Sequence, residues 1–319
     1  MTEPIRADGP IEVARPIKVA TRRSPLALAQ ARLVAEQVTR TTGLATELVE
    51  VVSEGDVNAG PLATIGGTGV FVTAVRDALL TGRADIAVHS LKDLPTAPAA
   101  DVEMVAVPVR ADVRDALCSA AGTLADLPIG ATVGTGSPRR RAQLLAARPD
   151  LQVVPIRGNV GTRLAMVGKT MDAVVLAAAG LARLKLTHEA TEFLPVATVL
   201  PAPGQGALAI EAAVTADPGL LAGLRQLDDP ASRAATDAER ALLAALEAGC
   251  SAPVGAFAEY LTPGSTRPQI HLRAGVYAET RAVHMSVTGY ASEAQKVGSE
   301  LADQLLAAGA AGLLSESKL

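Results

Sequence analysis

RRSPLALAQARL at residues 22–33 and TGSPRRRAQLLA at residues 135–146 are the two stretches on which the fold is decided. Each sets Ser-Pro between a short apolar run and a repeat of apolar residues at helical spacing. Serine is a good N-cap and proline suits the first helical position, so both pairs start a helix. The free backbone N–H groups and positive dipole end of such a helix face outward beside arginines, which makes an anion-binding junction. Its occurrence twice predicts a duplicated α/β lobe, a fold type whose ligands bind at the carboxyl ends of the strands.

The neighbouring sequence repeats the same grammar. In the first lobe IKVAT (17–21) reads as a strand, and Leu26, Ala29, Leu33, Val34 and Val38 as a helix face. Residues 45–52 read as a second strand, and a Gly-rich loop ends at Gly69. Phe71, Ala74, Val75, Ala78 and Leu79 mark the next helix, and ADIAVHS (84–90) a buried strand. The second lobe, from near residue 112, runs ATVGT, a helix from Ser137, LQVVP, a helix from Asn159, and DAVVLA. After Asp229-Pro230 a long helix through Ala235, Ala238, Leu242, Ala245 and Leu246 is expected to stop at Gly249. Ile270, Leu272, Ala274 and Val276, then Val283, Met285 and Val287, alternate as strands before a closing helix with Ala294, Val297, Leu301 and Leu305. This third region reads as α+β with a small antiparallel sheet.

Composition bounds the rest. The 319 residues are 49% hydrophobic and 19% charged, too apolar for disorder, and only 2% aromatic, so the cores are aliphatic. A net charge of -4 argues against general affinity for nucleic acid or acidic membranes. Cys118 and Cys250 lack the paired spacing of a zinc site and fit a reducing, cytoplasmic setting. The N-terminal MTEPIRADGPIEVARP has acids and prolines where an export signal would have a basic start and an apolar core, so a flexible extension is expected. The apolar run from Ala173 ends at Arg183, too short to span a bilayer.

Arg139, Arg140, Arg141, Arg148, Arg157 and Arg163 fall close together in a chain with six lysines. Arginine is the side chain for bidentate carboxylate or phosphate contacts. A solvated helix face remains the reading for Arg141 and Arg148. Nucleotide templates fail, since Gly168-Lys169-Thr170 lacks its upstream glycine and no G-x-G-x-x-G follows a strand. The histidines show no metal-ligand spacing, and no metal is implied. HSLKDLP (89–95) presents Ser90, Lys92 and Asp93 at the carboxyl end of a buried strand. There Asp93 is either a surface acid or a group that moves protons and steadies a cation. PGQGA (203–207) is either a plain turn or a close backbone approach to a ligand. Cys250, just past a capped helix, is either an inert thiol or a covalent site, whereas Cys118 in ALCSA reads as core.

Together, RRSPLALAQ, GDV, ADIAVHSLKDLP, GTGSPRRR, IRGNVGTRL, LAAAGLARL, PAPGQGALAIE and LEAGCSAPVGA, in this order, resemble the porphobilinogen deaminase (hydroxymethylbilane synthase) family from about residue 17 to the last helix. The resemblance implies two periplasmic-binding-protein-like (transferrin-like) α/β lobes plus a small C-terminal α+β domain. The expected division is a 1–16 extension, lobe 1 over 17–110 plus 208–226, lobe 2 over 111–207, and the third domain over 227–319. It also implies a cytoplasmic, monomeric transferase with no nucleic-acid or membrane partner. This transferase condenses four porphobilinogen molecules head to tail on a covalent dipyrromethane, with loss of ammonia, and releases hydroxymethylbilane by hydrolysis.

On that resemblance Asp93 is the catalytic acid that assists ammonia loss and stabilises the azafulvene cation, and Cys250 carries the cofactor through a thioether. Ser90, Lys92, Thr135, Ser137, Arg139, Arg140, Arg157 and Gly158 are implied to bind the cofactor. Arg22, Ser24, Arg157, Asn159, Arg163, Arg183 and Gln205 are implied to bind substrate. Each pyrrole brings two carboxylates, which an Arg-rich surface can neutralise. Two departures stand out: Thr64 and Thr68 occupy places where many relatives have lysine, and Pro138 replaces a common leucine at a position that tolerates proline. The rival readings are a non-catalytic two-lobe binding protein for a small anion, in which Asp93 and Cys250 are dispensable, and a ligand-sensing regulator. The regulator would need a helix-turn-helix that the N-terminal extension is too short to supply.

Overall fold

The computed structural model describes residues 15–52, 70–249, 252–262, 264, 267–278 and 281–316. They gather into two compact units. The described residues of Met1–Ser90, Pro98–Val109 and Leu208–Asp229 form the first, and those of Leu91–Ala97, Arg110–Ala207 and Pro230–Leu319 the second.

The first unit opens with β1 (Ile17–Arg22), α1 (Pro25–Thr42), β2 (Thr46–Val51), α2 (Val70–Leu80), β3 (Ile86–Ser90) and β4 (Val102–Ala106). Helix α1 starts as expected: Ser24 accepts from the Ala27 N–H, Pro25 leads the first turn, and Gly43 closes the helix with a left-handed φ of 75°. Its inward face carries Gln30, Ala31, Val34, Ala35 and Val38.

The second unit continues with β5 (Asp115–Ser119), β6 (Thr132–Gly134), α3 (Pro138–Ala147), β7 (Gln152–Val154), α4 (Val160–Leu164), β8 (Ala173–Ala177), α5 (Ala178–Arg183) and β9 (Glu192–Phe193). The chain then returns to the first unit as β10 (Leu208–Ala213) and α6 (Pro218–Arg225).

The two sheets are copies of one design. The first has the order β2-β1-β3-β10-β4 and the second β7-β6-β8-β5-β9. In each, three parallel strands are extended by one strand that runs antiparallel to both its neighbours, β10 in the first and β5 in the second. The duplicated α/β lobe expected from the two Ser-Pro junctions is therefore present. Each sheet is covered on both faces by aliphatic clusters, one containing Ile17, Val34, Ile86 and Ile210, another Leu117, Val133, Leu144 and Leu194. Fully burying one such side chain stabilises by about 1.5–3 kcal/mol, so no large aromatic is needed at the centre.

The remaining elements are α7 (Pro230–Ala245), β11 (Val254–Leu261), β12 (Gln269–Tyr277), β13 (Ala282–Tyr290), α8 (Ala294–Ala307) and α9 (Ala310–Glu316). The three strands form an antiparallel sheet whose inner face, with Ile270, Leu272, Ala274 and Val276, packs on Ala238, Leu242, Val297, Leu301 and Leu305. A Cβ at Gly298 would collide with the Ala238 carbonyl, which is how α8 lies so close to α7. One expectation shifts: α7 ends at Ala245, four residues before Gly249, because the chain turns out at Glu247, a non-glycine in the left-handed region with φ 49°. No described helix is long and apolar enough to cross a membrane.

Candidate active site

The site in the second unit is built around the PGQGA turn. Gly204 and Gly206 have φ values of 74° and 88°, and a Cβ would meet the Lys92 backbone nitrogen at 3.2 Å from Gly204 and the Ala111 carbonyl at 2.6 Å from Gly206. Glycine is thus required twice over, by backbone angle and by close approach. Fully buried Glu239 on α7 clamps the turn from behind. It accepts from the Gly204 N–H at 2.7 Å, from the Ala258 N–H at 2.9 Å and from both Nη atoms of Arg110 at 2.7 and 2.9 Å. Arg110 Nε in turn donates to the Gln205 carbonyl at 2.9 Å. Unpaired, Glu239 would cost several kcal/mol; here every approach to it is a charged or backbone donor.

Gln205, buried at the tip of this turn, distributes the contacts. Its Oε1 accepts from Lys92 Nζ at 3.2 Å, and its Nε2 donates to Asp115 Oδ1 and the Val113 carbonyl at 2.8 Å each. Asp115 begins β5 with no exposed surface and also receives Arg139 Nη2 at 2.8 Å and Arg140 Nη2 at 2.6 Å. Burial alone would raise its pKa; the two guanidiniums outweigh that and hold the carboxyl well below the usual carboxylate range. Arg139 and Arg140 lie in the first turn of α3, capped by Ser137, which accepts from the Arg140 N–H at 3.4 Å. Thr135 accepts from the Ser137 N–H at 3.3 Å.

Positive charge exceeds negative charge here. Burial pushes the half-buried Lys92 ammonium down to about 8, against the pull of Asp93 and with the added repulsion of Arg140. Arg163, at the end of α4, donates to the Gly158 carbonyl at 2.9 Å, and burial and then Arg140 lower its pKa. Arg183 donates to the Gly206 carbonyl at 2.6 Å, and burial lowers its pKa to about 10. The Nε atoms of Arg139 and Arg140 are buried without a hydrogen-bond partner. Asp115 and Asp93 are the acids among the groups acting on Lys92, so the donors outnumber the acceptors. Such a cluster is suited to a ligand carrying several carboxylates.

Asp93 ends a single 3-10 turn, Leu91–Asp93, directly after β3, with its side chain exposed beside buried Leu91 and Leu94. Arg157 and Gly158 are exposed ahead of α4, Gly158 has φ 104°, and Asn159 caps the helix by accepting from the Thr162 N–H at 2.9 Å. Arg22, Ser24 and Ser90 belong to the first unit, at the ends of β1 and β3 and at the start of α1. Cys250, Thr64, Thr68 and the GDV segment lie outside the described residues.

The arginine run divides as its chemistry requires. Arg148 is a structural tie, donating to the Leu124 and Leu127 carbonyls at 2.6 and 3.0 Å and pairing with Asp150 at 2.7 Å. Cys118 is core, its thiol pushed up to about 12 by burial and Glu189. The sequence reading missed Asp115, Glu239 and Arg110. The only signal for Asp115 was an acid at the head of the apolar run ALCSA.

The residues meet the demand of a cofactor with several carboxylates. Residues 17–218 match the family model "Porphobilinogen deaminase, dipyromethane cofactor binding domain", and residues 234–307 match "Porphobilinogen deaminase, C-terminal domain". The chain is 54% identical over 313 residues to porphobilinogen deaminase 1 of Streptomyces coelicolor, covering 94% of this chain and 98% of that one. It is 49% identical over 313 residues to porphobilinogen deaminase of Thermobifida fusca, covering 95% and 97%. Matched by both family models and by relatives of this identity along nearly its whole length, the chain belongs to the porphobilinogen deaminase family.

Proposed function

We propose that this chain deaminates porphobilinogen and joins the pyrroles head to tail, with the anion cluster of the second unit as its carboxylate cradle. The observation that carries the reading is the surplus of buried or half-buried cations beside an exposed carboxyl. Lys92 stands beside Asp93 and in the field of Arg139 and Arg140, Arg163 lies in the field of Arg140, and Asp115 neutralises only part of this charge.

The dipyrromethane, held through a thioether to Cys250, supplies the pyrrole terminus to which new units add. Lys92, Thr135, Ser137, Arg139, Arg140, Arg157 and Gly158, with Ser90, are assigned to its carboxylates. Arg22, Ser24, Arg157, Asn159, Arg163, Arg183 and Gln205 are assigned to the incoming substrate and growing chain. Asp93 protonates the departing amine and then, as a carboxylate, steadies the cation left on the pyrrole and takes up the proton lost when the next ring attacks. Its exposed place in a short turn, beside Lys92, suits that proton exchange.

The three sheets support a division into lobes over 17–110 plus 208–226 and over 111–207 and a third domain over 227–319, while the proposed extension over 1–16 lies almost wholly outside the described residues. A cytoplasmic, monomeric enzyme is what the family resemblance implies, and the net charge of -4 argues against general affinity for nucleic acid. A non-catalytic anion-binding protein would leave Asp93 and Cys250 dispensable, and family membership argues against it.

Single-turnover ammonia release from porphobilinogen by cofactor-loaded Asp93→Asn is the test. A loss of roughly a hundredfold or more, in a protein with unchanged melting, is expected. A near-normal rate removes Asp93 from the chemistry.

A further inference from the structure

The outer face of the third sheet carries a second candidate site. Strands β12 and β13 alternate, so that Ile270, Leu272, Ala274 and Val276 turn to the helices while Arg273 and Tyr277, paired in register with Ser286 and Ala282, turn the other way. With Leu145 and Ala146 of α3 opposite, Arg273, Tyr277, His284 and Ser286 wall a cleft of about 1060 Å3 inside the second unit. No residue assigned above to cofactor or substrate lines it.

Its chemistry is one-sided. Among the described residues the lining includes no Asp or Glu. Arg273 Nε is buried without a hydrogen-bond partner, and the guanidinium stacks 5.4 Å from the Phe257 ring centroid, with no carboxylate at ion-pair distance among the described residues. A half-buried guanidinium held on an aromatic face and left without a counterion attracts an anion. The Tyr277 hydroxyl is already committed, donating to Gln143 Oε1 at 2.8 Å, and His284 packs edge-on against its ring at 5.2 Å. Both therefore act as fixed walls. The α3 side is aliphatic, so an inorganic ion would leave most of the cleft unfilled, whereas a flat apolar body would cover it.

We propose that this cleft binds an amphipathic organic anion, with its carboxylate or sulfonate on Arg273 and its apolar body between the sheet face and Leu145 and Ala146. The test is titration of the cofactor-loaded full chain with 8-anilinonaphthalene-1-sulfonate. Saturable fluorescence from one site is expected, weakened tenfold or more in Arg273→Ala and abolished in Ala146→Trp, which fills the cleft from its exposed rim. Ser286→Trp blocks it from the opposite wall if Ala146→Trp melts differently from the parent. The uncharged N-phenyl-1-naphthylamine should bind at least tenfold more weakly than the sulfonate and ignore Arg273→Ala. Porphobilinogen turnover should stay within twofold in Arg273→Ala. Unaltered sulfonate binding in the variants, equal binding of the uncharged dye, or displacement of the sulfonate by porphobilinogen would overturn the proposal.

Discussion

Helices α1 and α3 start on the same Ser-Pro pair, at equivalent places in two sheets of the same strand order, yet their inward faces differ in kind. Helix α1 buries Ala31, Val34, Ala35 and Val38 with one polar residue, Gln30. Helix α3 buries Arg139, Arg140 and Gln143 with one leucine, Leu144. An apolar face needs only a matching sheet. Buried guanidiniums need a counterion, and Asp115 supplies it from β5, the antiparallel strand of that lobe. A duplicated fold has thus kept its junction geometry while one copy took on a charged interior, and that interior is where carboxylate binding is proposed.

The sharpest way to break this contrast is to remove the counterion. Asp115→Asn leaves Arg139 and Arg140 buried without their shared carboxylate and forces an amide against a guanidinium. Loss of one partner of a buried pair costs about 3–5 kcal/mol, which denaturant unfolding should register. A change below about 1 kcal/mol would mean that α3 tolerates its arginines without Asp115, and the contrast with α1 would be superficial.

The next effect falls on binding and spares stability. Arg163 has a carbonyl partner and a lowered pKa, so its charge is a strain on the free protein. Arg163→Ala should leave stability within about 0.5 kcal/mol and raise the porphobilinogen KM about tenfold or more, since a charged contact is worth roughly 1.5–3 kcal/mol. A destabilised variant with unchanged KM would make Arg163 structural, like Arg148.

A pH experiment reads the same cluster through Lys92, whose ammonium titrates near 8 because it is desolvated. With the folded pKa below the unfolded value of 10.5, the unfolded chain holds more protons between these limits. The Lys92 contribution to stability therefore rises as pH climbs from about 8 toward 10.5. Binding runs the opposite way, because the lysine loses the charge that holds an anion as pH passes about 8. The apparent KM should increase across that range, and Lys92→Arg, which stays charged, should flatten the rise. An identical profile in the variant would assign the titration elsewhere.

What the sequence showed follows from what is local. Ser24, Ser137 and Asn159 announce their helices because a cap and its first turn lie within four residues, and the alternation of β12 is visible because its face is set by neighbours in sequence. Strands β5 and β10 escaped that reading, although they complete both sheets, since their partners lie far along the chain. Asp115 escaped for the same reason: its role exists only once β5, α3 and the 203–207 turn are brought together. Glu239, inside a helix whose polar positions look solvated, is fully buried by β11 and the glycine turn.

The smallest effect tests the junctions themselves. Ser24 and Ser137 accept from the third residue's N–H at comparable distances, 3.3 and 3.4 Å, so Ser24→Ala and Ser137→Ala should each lower stability by about 1 kcal/mol. Aspartate caps a helix as well as serine does and complements the dipole, so Ser→Asp should restore that loss at either position. Its negative charge, however, occupies the place where an incoming carboxylate would meet the helix start. If both junctions hold anions, the Asp variants regain stability while their porphobilinogen KM rises above that of the Ala variants. If KM merely follows stability, falling back as the cap is restored, the two serines are caps alone and the anion reading is confined to the arginines that follow Ser137.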